Sequence, residues 1–275
     1  MDAEMSQSIR PRRVNHMNAV LTDFDASVDH FRKLYDAEFV VDIPQREFHA
    51  CLVEMGRVLF ELFVPHDQLV IARYGPHYVG MEYEADMDEV RKVIAARGIR
   101  IIRDVGIAVH THPADCFGVS FEFTDNYFHD RDWPLLGGPM KSAEYWRQHP
   151  LGLTGLRGYS IAVSDIGAAQ AFMQGFLSGV VLYEEPRPAL AARAVGLKVA
   201  DSLVELITPV GDGAMQRHLH RFGNGIRSTL FRVHDIDQAK RYFAERGIDL
   251  VPGDGPDSWT IPAQHNLGVI FEFSQ

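Results

Sequence analysis

The chain has 275 residues, 46% of them hydrophobic, and a net charge of −10 from 37 acidic against 27 basic side chains. That length and apolar content can bury two ordinary cores of about 120–140 residues each, while the acidic balance disfavours nucleic acid, whose phosphates want a basic face. Two cysteines, Cys51 and Cys116, with no Cys-x-x-Cys spacing argue against a disulfide framework and a zinc motif. No signal peptide or apolar run of roughly 18 residues is present, so a cytoplasmic protein away from membranes is expected.

In chain order, Arg10, Arg12 and Arg13 form the one basic cluster and read as a solvated tail. A strand is expected over residues 14–22, a helix over 26–35, then strands near 38–43, 49–55 and 58–64. The same order returns with a strand over 78–84 and an amphipathic helix over 86–98. In that helix Met87, Val90, Val93 and Ile94 recur at three- and four-residue steps, Asp86 is the N-cap and Gly98 the stop. Three short strands bounded by Gly, Pro and Asp follow. Residues 126–153 break the pattern and form a connector. Its Tyr127, Phe128, Trp133, Pro134, Gly137 and Trp146 suggest a segment that packs against a domain or covers a cup mouth, not a loose tether.

The chain then repeats itself. Residues 88–101 (DEVRKVIAARGIRI) return at 237–250 (DQAKRYFAERGIDL), and Gly-Val-x-Phe-Glu-Phe follows each copy, at 118–123 and 268–273. Upstream, residues 58–65 echo 203–209, and residues 14–28 echo 156–170 through Asp23 and Asp165. A period this long means two homologous domains, each holding two copies of a βαβββ unit. One such unit is too small to bury its sheet face, so neighbouring units should pair into a curved sheet with helices outside and a concave cup inside.

Four βαβββ units, a first strand with His16 followed by Asp23, a strand carrying Phe60-Glu61-Leu62, and the ending HPADCFGVSFEF over residues 112–123 resemble the vicinal oxygen chelate (VOC) superfamily. That group includes glyoxalase I, extradiol dioxygenases and bleomycin-resistance proteins, and the His-Pro-x-x-x-x-Gly-Val-x-x-Glu stretch looks most like methylmalonyl-CoA epimerase. The resemblance covers nearly the whole chain and implies an α+β fold of two VOC domains, residues 12–125 and 154–275, joined by the 126–153 connector.

The resemblance also implies a metal site fed by the first and last strands of two paired units. His16 matches the first-strand histidine, Glu61 the last-strand position of unit one, and Glu122 the last-strand glutamate of unit two. The fourth slot departs from the pattern. Counting back seven residues from Asp86, as His16 stands before Asp23, reaches Val79; His77, two residues earlier on the same face, is then the candidate ligand. A one-residue bulge would flip that parity and turn Tyr78, Gly80 and Glu82 inward instead. The second domain has Gly158 and Ser228 in the histidine slots and keeps only Glu205 and Glu272, so its cup reads as degenerate. Pairing of units one and four, which the superfamily also permits, would instead join His16 and Glu61 with Glu272.

By strand alternation alone, a glutamate in an apolar strand reads as a solvent-facing residue, and a lone His16 as a satisfied polar one. Given the resemblance, the implied cofactor is a divalent ion (Fe2+, Zn2+, Mn2+, Co2+ or Ni2+) that chelates neighbouring oxygens of a small organic substrate, in isomerase, lyase or extradiol dioxygenase chemistry. Glu61 is then a fourth ligand or the catalytic base. The rival reading is a metal-free binding or resistance protein of the same fold. His112 before Pro113 reads as a loop-shaping residue, and Cys116 has no base placed beside it. No Walker loop, Gly-x-Gly-x-x-Gly or Gly-x-Ser-x-Gly occurs. The expected partner is a small molecule, not nucleic acid or membrane, and a homodimer is left open.

Overall fold

The computed structural model describes residues 8–275 apart from 68, 70–72, 132–135 and 137, so Trp133, Pro134 and Gly137 of the connector lie outside the described residues. In the first half β1 (Arg13–Val20) leads to α1 (Phe24–Tyr35), β2 (Glu38–Pro44), β3 (Phe48–Met55) and β4 (Val58–Pro65). Then β5 (His77–Glu84) leads to α2 (Met87–Arg97), β6 (Ile101–Asp104), β7 (Ala108–Thr111) and β8 (Ser120–Thr124). After the short connector helix α3 (Ala143–Gln148), the order repeats: β9 (Leu153–Ala162), α4 (Ile166–Leu177), β10 (Val180–Arg187), β11 (Ala192–Val199) and β12 (Ser202–Pro209). An added helix α5 (Ala214–Phe222) precedes β13 (Gly225–Val233), α6 (Ile236–Ala244), β14 (Val251–Pro252), β15 (Trp259–Thr260) and β16 (Ile270–Ser274). The fold is α+β, built from the βαβββ unit repeated four times.

The repeated aspartates explain why each first strand hands over to a helix. The side chains of Asp23, Asp86, Asp165 and Asp235 accept backbone N–H bonds from Ala26, Glu89, Ala168 and Gln238, satisfying donors that a helix start leaves orphaned. At the far end of α2, Gly98 takes a left-handed conformation (φ 64°) and closes the helix where a Cβ would be strained.

Two curled, mixed eight-stranded sheets result, with orders β2-β3-β4-β1-β5-β8-β7-β6 and β10-β11-β12-β9-β13-β16-β15-β14, and helices on their outer faces. Within them β1 runs parallel to β4, β5 to β8 and β13 to β16, whereas the hairpin neighbours are antiparallel. The first sheet thus comes from units one and two, and the second from units three and four. No helix among the described residues is long and apolar enough to cross a membrane.

Packing divides the chain into two compact units, and the division passes through β1, β5, β9 and β13, so each sheet contributes to both. Among the described residues, one unit comprises residues 8–15, 80–127 and 160–226. In it Phe176 of α4 packs on Phe121 and Phe123 of β8, at ring-centroid distances of 6.1 and 6.0 Å. The other comprises residues 16–79, 128–159 and 227–275. Its core is aromatic: Phe31 and Tyr35 of α1 and Phe60 of β4 surround Phe271 of β16 at 5.9, 5.6 and 5.1 Å. Each fully buried phenylalanine of this kind contributes about 1.5–3 kcal/mol.

From Phe128 onward the described part of the connector is packed structure within that second unit. Trp146 is fully buried, Phe128 and Leu136 join Leu52 and Leu59 in one apolar cluster, and the Arg131 guanidinium donates to the buried Glu54 carboxylate at 3.1 Å. At the C-cap of α1, Asp36 accepts from Lys141 at 3.0 Å and from the Tyr145 hydroxyl.

Candidate metal centre

In the first sheet β1 carries His16, β4 carries Glu61, β5 carries Glu82 and β8 carries Glu122. One ligand atom each from His16, Glu82 and Glu122 lies within 4.8 Å of the other two, and all three residues are buried. Among the described residues no other three His, Cys, Asp or Glu side chains meet in this way. Glu61 stands beside them, its Oε2 3.8 Å from His16 Nε2.

Strand register explains which residues arrive. On β1, Asn18 pairs with Glu61 of β4; on β5, Glu82 pairs with Glu122 of β8; on β13, Leu230 pairs with Glu272 of β16. The residue two positions earlier is the histidine slot: His16, Gly80 and Ser228 respectively. The seven-residue count to Val79 fails because β5 ends at Glu84 with its helix cap at Asp86, whereas β1 ends at Val20 with its cap at Asp23, one residue further on. The connection is one residue shorter, and the inward face is the one carrying Gly80 and Glu82. No side chain fits at Gly80: a Cβ there would stand 1.9 Å from the Ser120 carbonyl oxygen.

His77 is therefore placed apart from the three converging groups. Its Nδ1 lies 2.7 Å from the Gly75 carbonyl oxygen and its ring 5.4 Å from that of Tyr74, and burial lowers its pKa. Glu82, two residues beyond the Gly80 slot, is the β5 side chain that meets His16 and Glu122. Met81-Glu82-Tyr83 sets an acid between apolar residues as Phe60-Glu61-Leu62 does, but Glu84 follows two positions on and the motif alone does not single Glu82 out.

Neighbouring groups orient the three. Asn15 Nδ2, almost wholly buried, donates to Glu82 Oε1 at 2.5 Å and to the Asn126 carbonyl at 2.8 Å. His110 Nε2 lies 3.0 Å from Glu122 Oε1, and the Phe128 ring stacks on the His16 imidazole at 5.8 Å with 10° between planes. Such supporting contacts fix the orientation of metal-ligating side chains. The donor set fits a first-row divalent ion: one imidazole and two carboxylates from three strands. Two carboxylates held this close repel by about 3.5 kcal/mol at an effective dielectric near 20, a cost a cation would relieve.

The corresponding carboxylates of the second sheet are engaged with protein donors. Glu272 accepts from Ser228 Oγ and Ser258 Oγ, both at 2.5 Å, and from the Asp254 N–H at 2.9 Å; burial, followed by the nearby Asp254 charge, raises its pKa. Glu205 accepts from Tyr183 Oη at 2.7 Å and from Arg187 at 2.5 Å. The Tyr183 ring lies so close over Gly196 that a Cβ there would fall 2.3 Å from it.

Neither a family model nor a curated protein matches the sequence. Solved structures do match. A mutant of 4-hydroxymandelate synthase from Streptomyces coelicolor superposes with a TM-score of 0.73 over 96% of this chain and 92% of its own, at 14% identity. The fold is that of the vicinal oxygen chelate superfamily. An Mn(II)-bound glyoxalase from Novosphingobium aromaticivorans shares the VOC fold with a TM-score of 0.67 over 97% of this chain and 82% of its own, at 12% identity. A xylose isomerase-like TIM barrel/4-hydroxyphenylpyruvate dioxygenase fusion protein does so at 0.65, over 97% of this chain and 49% of its own, at 13% identity. Identities this low establish the VOC fold, and the chemistry has to be argued from the site.

Proposed function

We propose that this VOC-fold protein is a metal-dependent enzyme acting on a small oxygenated organic substrate, with His16, Glu82 and Glu122 as ligands and Glu61 as the general base. The observation that carries the reading is the convergence of those three buried side chains. The Mn(II)-bound glyoxalase among the similar structures supports a divalent ion in this fold. An ion held there would supply Lewis acidity to two neighbouring substrate oxygens. The chain's own residues do the rest. Asn15 and His110 hold the two carboxylates, Phe128 keeps the His16 ring from turning, and Glu61, next to the ligands, is placed to take a proton from a carbon α to a carbonyl. His77 is left out of the ligand set. In the second sheet, Ser228, Ser258, Tyr183 and Arg187 already occupy the carboxylates, which supports a metal-free role for that half.

The test is metal content after purification without a metal-affinity tag and reconstitution with Mn2+, Fe2+ or Zn2+. Wild-type protein and Glu272→Gln should hold one ion per chain, and His16→Ala should lose it. Wild-type protein that retains none, or equal loss in Glu272→Gln, would overturn the assignment.

A further inference from the structure

The ligand row does not stop at Glu122. Across the first sheet, Glu82 of β5 pairs with Glu122 of β8, Glu122 with His110 of β7, and His110 with Arg103 of β6, so successive cross-strand partners run from the metal ligands to an arginine. The next residue, Asp104, turns the other way: both of its oxygens accept from Arg91 of helix α2, on the outer face of the sheet. Side chains alternate along a strand, which places Arg103 on the same face as Glu122. The register slips between Ile101 and Arg103, an irregularity of the kind that re-aims a side chain beside a site. At about 4.8 Å per strand, the Arg103 backbone is roughly 10 Å from that of Glu122. An extended arginine spans much of that gap, and Arg103 is exposed on the edge strand of the sheet.

Charge gives this position a consequence. A divalent ion on His16, Glu82 and Glu122 is neutralised by the two carboxylates, and Glu61 adds a further negative charge alongside. A ligand with an anionic group beyond its chelating oxygens would be repelled unless a cation met it, and a guanidinium meets a carboxylate with two parallel hydrogen bonds. Resting on the metal-centre reading above, we propose that Arg103 is a specificity residue that receives a second, anionic group of the substrate, so that the site favours oxygenated dianions.

The probes are 2-hydroxyglutarate and 2-hydroxypentanoate, which share the chelating end and chain length and differ in a terminal carboxylate or methyl. Each is titrated calorimetrically into Mn2+-loaded protein. Wild type should bind the dicarboxylate about tenfold tighter or more, a margin that shrinks with added salt. Arg103→Gln should lose that preference while keeping Mn2+ affinity and 2-hydroxypentanoate binding, and Arg103→Lys should retain part of it. Mn2+ binding with no preference in wild type, or with the preference intact in Arg103→Gln, would overturn the Arg103 assignment alone. Failure of the wild type to bind Mn2+ would overturn the metal-centre reading and this inference with it.

Discussion

Replacing Glu82 with glutamine should move stability and metal affinity in opposite directions. Its ligand oxygen lies within 4.8 Å of that of Glu122, and both residues are buried, so the pair repels by about 3.5 kcal/mol at an effective dielectric near 20. An amide oxygen can keep the hydrogen bond from Asn15, and side-chain relaxation trims the gain to about 1–2 kcal/mol. At about 2–4 °C per kcal/mol for a protein near this size, the metal-free variant should melt roughly 2–8 °C above metal-free wild type. Loss of supporting groups around a metal typically costs 10–100-fold in affinity, so loss of a ligand should cost at least about 100-fold. The rise in Tm on adding Mn2+, which follows from binding to the native state alone, should then largely vanish. Thermal melts of chelator-stripped protein with and without Mn2+, paired with calorimetric titration, read both effects. A stripped variant no more stable than wild type, with undiminished Mn2+ affinity, would refute the reasoning.

Glu61→Gln should leave metal content near one ion per chain and lower turnover by about 10²–10⁴-fold, the range for losing a positioned proton transfer. Loss of the ion would make Glu61 a ligand, and full metal with unchanged turnover would make it only a strand acid. A separate expectation concerns the connector. Burial works to raise the Asp36 carboxyl, but hydrogen bonds from Tyr145 and Lys141 and the charges of Lys141 and His149 outweigh it, so its pKa lies below the usual value. A depressed carboxylate pKa stabilises the native state fully above the unfolded value of about 3.9 and loses that contribution as pH falls through the folded value. Pepsin cleavage within residues 126–153 should therefore accelerate below about pH 4 in wild type. Asp36→Asn should be cut faster already at pH 5 with a weaker acid step, and identical profiles for the two proteins would exclude Asp36 as the clasp.

The repeat made the fold legible. Two copies of a helix followed by Gly-Val-x-Phe-Glu-Phe fixed the module, and each strand-ending aspartate marked a helix cap. His16, Glu61 and Glu122 were named through the family resemblance, with Glu122 inside the repeated Gly-Val-x-Phe-Glu-Phe. Glu82 was not, because the β5 connection is one residue shorter, and a period of two turns a one-residue error into the opposite face of the sheet. Counting from Asp86 thus favoured His77 and Val79, while the alternative parity held Gly80 and Glu82. Counting back from the pairing with Glu122 would have found the right face, but register belongs to the folded strands and no local motif records it. The hydroxyls at Glu272 were equally hidden: Ser228 read only as a missing histidine, and Ser258 stands where the first half has Ala108.

The close approach at Gly80 has an implication for redesign. Where many metal sites can be retuned by exchanging a carboxylate for an imidazole, here the obvious exchange is barred by backbone: Gly80→His would drive a side chain into the Ser120 carbonyl and part β5 from β8. An imidazole supplied from β5 would have to replace Glu82 itself, which removes a charge in the same step. If the site holds an ion as proposed, its donor set is thereby kept rich in oxygen, and the closeness of two strands limits it as much as the side chains they carry.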